Sequence, residues 1–290
     1  MSAAQLAGQM EQIILGRIAQ DKLSVALMPT LANRVLVLLQ DANLNLKRVI
    51  KLLEQDPMLA ARVIRLASSS AYGSTPMRTL DMAVTRLGVQ KLRTLLIELS
   101  ARQLFISRDP RIGKALKDLW DHSVAVALVA RDLSAFSGHE KDMETAYVCG
   151  LLHDVGKPVV ATVLLEAERA VTTERGGSWI GSDFWLEVVN LAHRKVGVAL
   201  AEKWMLPDEA VKAIEECAEY DSTNRMTPAN FVRFANAVAK REGIYPGTTD
   251  LEDADAIIMI GRSLLELNDE IVGKLTASLR ERVVAQGAEL

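Results

Sequence analysis

Apolar residues recur at intervals of three and four along nearly the whole chain, and alternation of period two is almost absent, so the pattern predicts an all-α protein. From Gln5 to about Asp21, Leu6, Met10, Ile13, Ile14 and Ile18 mark an amphipathic helix that lies against the body or against a partner. After Leu27-Met28-Pro29, Thr30 is placed to cap a helix carrying Val35, Leu38 and Leu39. Asn45 is placed to cap the next, and Asp56-Pro57 sets a capping carboxylate before a first-turn proline for a helix through Ala67. Ser68 to Pro76 reads as a polar loop. Beyond it Leu80, Ala83, Val84 and Leu87 form a short face ended by Gly88, and a long helix follows with Leu92, Leu95, Leu96, Leu99 and Leu104.

Ser107-Arg108-Asp109-Pro110 is the first strong break and suggests a boundary or hinge. The helix after it turns Leu116, Leu119, Trp120 and Val124 inward with His122 among them, whereas His139 falls in a polar loop and reads as an ordinary exposed side chain. Thr145 to Leu152 reads as a buried helix. Gly156 with Lys157-Pro158 then ends one helix and starts another, and Arg175 to Ser178 is a connector. A long segment from Asp183 carries His193, Gly197 and Trp204; a glycine four residues from His193 lets another helix approach its imidazole. Further helices hold Val211 to Ala218 and, from Pro228, Phe231 to Val238. Two final helices span about Asp253 to Leu267 and Asp269 to Val284, and no internal repeat is apparent.

The candidate chemistry gathers at Leu151-Leu152-His153-Asp154-Val155-Gly156-Lys157, which holds the only adjacent His-Asp pair in a chain with 4 histidines. His122, His153, Asp154 and His193 would converge from three helices as a nitrogen and oxygen set suited to a hard or borderline divalent ion. A histidine paired with a carboxylate at a helix junction has the same local sequence, so a structural polar cluster stays open beside the metal reading.

Composition narrows the function. Hydrophobic residues are 49% and aromatic residues 4%, which suits closely packed helices, and a net charge of -3 with interspersed signs supplies no basic tract for nucleic acid. The helix, glycine turn and helix around Gly88 superficially resemble a DNA-reading unit with Lys91 and Arg93 toward phosphate, but solvated charge on a bundle is the simpler expectation. Cys149 and Cys217 lack CxxC spacing and read as reduced thiols. No signal-peptide pattern opens the chain and charge interrupts its apolar runs, so a cytoplasmic protein without membrane contact is expected.

Several separated motifs, in order over roughly residues 23 to 240, resemble the HDOD family, a bacterial signalling branch related to the HD phosphohydrolases. They are Leu27 to Leu31, Asp56 to Val63, Leu66 to Gly73, Ala83 to Val89, Trp120-Asp121-His122-Ser123, Leu151 to Lys157, His193 to Gly197, and Trp204 with Leu206-Pro207. The resemblance implies a two-lobed helical protein: an N-terminal lobe over 1–108, and over 109–290 an HD-like helical core with a C-terminal extension. It also implies a ligand set of His122, His153 with Asp154, and a later acid whose position is held by Asn236. An amide carries no charge there, and the His-His pair of two-metal relatives is replaced by Cys217-Ala218. No Gly-Tyr-Pro segment stands near Tyr220, which separates the chain from cyclic-dinucleotide phosphodiesterases. The expectation is therefore a non-enzymatic regulatory module, with a degenerate metal site and no cofactor, that binds a signalling protein or a small ligand. The alternative is a metal-dependent phosphohydrolase or phosphodiesterase acting on a nucleotide, with Fe, Mn, Mg or Zn on His122, His153 and Asp154, Asn236 and His193 as further ligands, and Lys157 or His193 orienting phosphate.

Overall fold

The computed structural model describes residues 2–23, 30–41, 43–69, 72–73, 75–175 and 182–289; the Leu27-Met28-Pro29 lead-in, part of the polar loop after Ser68 and residues 176 to 178 of the connector lie outside them. The chain runs α1 (Ala3–Ala19), α2 (Thr30–Leu39), α3 (Leu46–Leu53), α4 (Pro57–Ala67), α5 (Leu80–Arg102), α6 (Pro110–Phe136), α7 (Met143–Leu152), α8 (Gly156–Arg175), α9 (Ser182–Lys203), α10 (Asp208–Glu216), α11 (Pro228–Arg241), α12 (Leu251–Leu264), α13 (Asp269–Thr276) and α14 (Leu279–Glu289). Among the described residues there is no strand. Helices α2 to α5 pack on one another as one lobe, α6 to α12 form the other, and α5 against α7 joins them.

The caps follow from local chemistry. Asn45 Oδ1 accepts from the amides of Lys47 and Arg48 at 3.1 and 3.4 Å, and Asp56 Oδ1 from those of Met58 and Leu59 at 3.0 Å, each satisfying donors that a helix start leaves unpaired. Gly88 sits at φ 73° inside α5 and bends it, as its place between two apolar faces predicts. α1 begins at Ala3, earlier than the apolar pattern alone indicates, because Ser2 and Gln5 form a reciprocal capping box. The chain end differs more. The helix expected over Asp269 to Val284 is two, α13 and α14, because Ala277 is extended at ψ 122° and Ser278 takes φ 51°.

α1 packs against α8 and α9 rather than against its sequence neighbours, burying Leu6, Met10, Ile14 and Ile18. Ion pairs from Lys195 to Glu11 at 2.9 Å and from Arg17 to Glu166 at 3.2 Å flank this contact. At the other end of the sequence α13 and α14 pack on α6, with Arg282 paired to Asp132. Both termini thus cover the second lobe. One segment, residues 140–170, is long and apolar enough to cross a membrane by composition, yet 94% of its apolar window is buried in this helical core and a turn at His153 to Val155 breaks it.

Lys91 and Arg93 do not form a solvated basic face. Lys91 Nζ bonds the Glu144 carboxylate at 3.3 Å and lies 5.4 Å from the Tyr147 ring centroid, and half-burial lowers the Arg93 pKa. Both point toward the second lobe, so the helix pair around Gly88 is a packing surface. His139 is half-buried, with Nδ1 against the Ser137 carbonyl at 2.9 Å.

Candidate metal centre

Three imidazoles and one carboxylate meet where α6, α9 and the α7–α8 turn approach one another. α7 ends at Leu152, and His153, Asp154 and Val155 form the turn before α8. Gly156 does not stop a helix; it begins one, and its role is close approach. A Cβ there would stand 1.8 Å from the His193 carbonyl oxygen and 2.8 Å from the Gly197 amide nitrogen, so only glycine lets the start of α8 touch α9. Gly150 does the same for α7 on α6, where a Cβ would lie 2.7 Å from Ala127 Cα. These two contacts bring the histidines together.

Each imidazole is held by its Nδ1 against a backbone carbonyl at 2.7 Å: His122 to Ile244, His153 to Gly150, His193 to Asn190. A carbonyl only accepts, so Nδ1 carries the proton and Nε2 is turned to the carboxylate. The Nε2 atoms lie 4.0 Å (His122) and 3.3 Å (His153) from Asp154 Oδ2, and 3.4 Å (His193) from Oδ1. All four side chains are buried. Burial, reinforced by the neighbouring His153, lowers the His122 pKa to about 3, so near neutral pH its ring is uncharged and Nε2 is a lone pair. Burial alone would raise the Asp154 pKa; His153 and the Lys157 ammonium outweigh it and hold the carboxyl well below the usual range.

The nitrogen and oxygen ligand atoms of His122, His153 and Asp154 lie within 4.8 Å of one another. His122 Nε2 and His153 Nε2 are buried with no hydrogen-bond partner, and so is Asn236 Oδ1 on α11. An unpaired buried lone pair such as His122 Nε2 is costly, and a small cation held among His122, His153 and Asp154 would satisfy it. By this test the residues fit one divalent ion of low ligand number. They form a degenerate triad, because among the described residues no second carboxylate joins the group and a tethered cation is already present: Lys157 Nζ lies 2.7 Å from Asp154 Oδ2. Burial would lower the Lys157 pKa, but Asp154, with Tyr245, raises it, so the ammonium persists.

Of the residues singled out in the sequence, the structure thus brings His122, His153, Asp154, Lys157 and His193 together. Cys217 is buried and meets Arg194 Nη1 at 3.2 Å, so it carries a structural contact. The segment after α11 completes the site, though no apolar periodicity marks it. Ile244 supplies the carbonyl for His122, the Tyr245 ring packs edge-on to His122 at 5.1 Å, and Lys157 and Lys240 place their ammonium groups 5.4 and 5.0 Å from the Tyr245 centroid. The signal available was Tyr245-Pro246-Gly247, an aromatic in a turn directly after the helix of Asn236.

Comparison with known proteins agrees with this architecture. The HDOD domain family model matches residues 25–220, and the chain belongs to that family. Among solved structures, an HDOD domain protein of unknown function from Geobacter sulfurreducens aligns over 96% of this chain and 99% of its own, with 24% identity and TM-score 0.63. A protein of Shewanella amazonensis SB2B, proposed to be a metal-dependent phosphohydrolase, aligns over 96% and 98% with 22% identity and TM-score 0.70. A proposed signal transduction protein of Marinobacter aquaeolei VT8 aligns over 100% of this chain and 66% of its own, with 22% identity and TM-score 0.68. An uncharacterised protein of Treponema pallidum (strain Nichols) is 26% identical over 179 residues, 61% of this chain; the match spans 34% of that protein's length.

Proposed function

We propose that this chain is a non-enzymatic signalling module of the cytoplasm whose HD-like lobe senses a small ligand or a protein partner, and that its triad is a polar clamp between α6, α7, α8 and α9. The observation that carries the reading is the Lys157 ammonium on Asp154 Oδ2 at 2.7 Å, which gives the buried carboxylate a counter-charge within the chain. With Asn236 in place of an acid, the centre lacks the second carboxylate that would hold and orient an attacking water. The division into lobes over 1–108 and 109–290 belongs to this proposal, with α1 contributing to the second lobe through α8 and α9.

The unpaired Nε2 atoms favour a second reading, a retained single ion. His122, His153 and Asp154 would then hold it, with His193 on the far carboxylate oxygen, and Lys157 would face a phosphate. Such an ion would supply Lewis acidity toward a bound water. Elemental analysis of protein purified without added metal, with hydrolysis assays on phosphomonoesters and cyclic dinucleotides in manganese, iron, magnesium and zinc, separates the two. The expected result is substoichiometric metal and no turnover above that of His153→Ala and Asp154→Ala. Stoichiometric metal with turnover lost in both variants would falsify the non-enzymatic reading.

A further inference from the structure

A cavity of about 470 Å³ opens beside the triad, walled by α6, α8 and α9 and roofed by the segment Tyr245 to Thr248. Leu116, Leu119, Ala161 and Trp185 make its sides mostly apolar. The size is that of sites that enclose a small organic molecule. One polar feature distinguishes it from a packing defect. Lys157, only 8% exposed, stands in its wall with a cationic head whose ion-pair partner is Asp154. Trp185, 7% exposed, also lines it and adds an aromatic surface. Lys240, on the other helix that reaches Tyr245, adds a second positive charge near the roof. Glu187 is the one acid among the described lining residues and is exposed.

We propose that this cavity binds a small, flat organic monoanion, its apolar body between Leu116, Leu119 and Trp185 and its anionic group toward Lys157. The inference rests on the ligand-sensing reading above and narrows it to a chemical class. An apolar wall with a buried ammonium selects an anion over a neutral or cationic compound. Glu187 opposes further negative charge, so a monoanion is favoured over a polyphosphate. Occupancy would press on Tyr245, whose ring contacts His122 and both lysines, and so reach the triad without any chemistry at it.

The test uses the full chain without added metal and 2-naphthalenesulfonate, an aromatic monoanion that a phosphohydrolase does not cleave. Neutral 2-naphthylmethanol and inorganic phosphate are the comparison probes. Titrations are followed by calorimetry and by the Trp185 indole resonance, assigned with Trp185→Phe. The expected result is saturable one-to-one binding of the sulfonate, at least tenfold tighter than either comparison probe, with the Trp185 resonance shifted. Ala115→Trp, at a half-buried position of the lining, should weaken it at least tenfold while the circular dichroism spectrum is unchanged. Lys157→Met should reduce the sulfonate to the affinity of the alcohol. Absence of saturable binding, an alcohol that binds as tightly, or undiminished affinity in Ala115→Trp overturns the proposal; should Lys157→Met fail to fold, Ala115→Trp and the alcohol decide. Turnover of 1-naphthyl phosphate with manganese would overturn the non-enzymatic reading and leave the cavity's ligand class standing.

Discussion

Gly156 and Asn230 show how much rests on single residues here. Gly156→Ala would force a methyl to 1.8 Å from a backbone oxygen of α9, which no rotamer change relieves. We expect a loss of about 3 kcal/mol or more in urea unfolding, at the upper end for overpacking, with loss of the His193 contact to Asp154. Asn230 is fully buried on α11 and pins the turn after α10: its Oδ1 accepts from the Asp221 amide at 2.9 Å, and its Nδ2 donates to the Asp221 and Arg225 carbonyls at 2.9 Å and to that of Asn224 at 3.2 Å. Asn230→Ala leaves those groups without partners, and a loss of about 2 to 4 kcal/mol is expected by the same measurement. Neither glycine approach nor amide bridge shows in an apolar pattern. The Asn230 side chain satisfies groups five to nine residues before it, and a helical wheel places it only as a polar residue among apolar ones.

Between elements, Glu98 is the informative side chain. It lies on α5, buried at 2% exposure, accepts from the Tyr147 hydroxyl of α7 at 2.7 Å and from Gln286 Nε2 of α14 at 3.3 Å, and so ties the first lobe to the second and to the chain end. Burial raises its pKa above the ordinary 4.5, outweighing Tyr147 and Lys91, which act to lower it. The folded state therefore holds this proton at pH values where the unfolded chain has released it. Stability from this group is full below the unfolded pKa and is lost as pH rises from about 4.5 through the folded value. Glu98→Gln should remove that slope. Thermal unfolding of both proteins from pH 4.5 to 7.5 checks it: the variant should gain on the wild type as pH rises, and parallel curves would place the carboxylate in a solvated or fully compensated setting. Spacing identified the apolar positions of α5 well, but it gave no means of knowing that Glu98 faces inward, since the burying surface comes from residues 49 and 188 positions away.

For the whole molecule, the packing of α1 on α8 and α9 makes the first 20 residues part of the second lobe's stability. Deleting residues 1–20 uncovers the face that Leu6, Met10, Ile14 and Ile18 bury. At roughly 1.5 to 3 kcal/mol for each large side chain returned to water, a loss of several kcal/mol is expected even after residual burial in the unfolded chain is allowed for. The check is hydrogen exchange: protection should fall in α8 and α9 ahead of α2 to α5, and a loss confined to α2 to α5 would contradict the packing.

The sequence by itself determined the helical class, the caps at Asn45 and Asp56, the bend at Gly88 and the family, because these depend on contacts within one turn or on short motifs whose order survives in the chain. It also nominated His122, His153, Asp154 and His193. Only the tertiary structure decided that the His122 and His193 Nε2 atoms reach the carboxylate beside His153, and that Tyr245 roofs the neighbouring cavity. Those facts are distances between side chains on different elements, set by Gly150 and Gly156 allowing backbones to touch, and periodicity along one helix carries no information about how far another element lies from it.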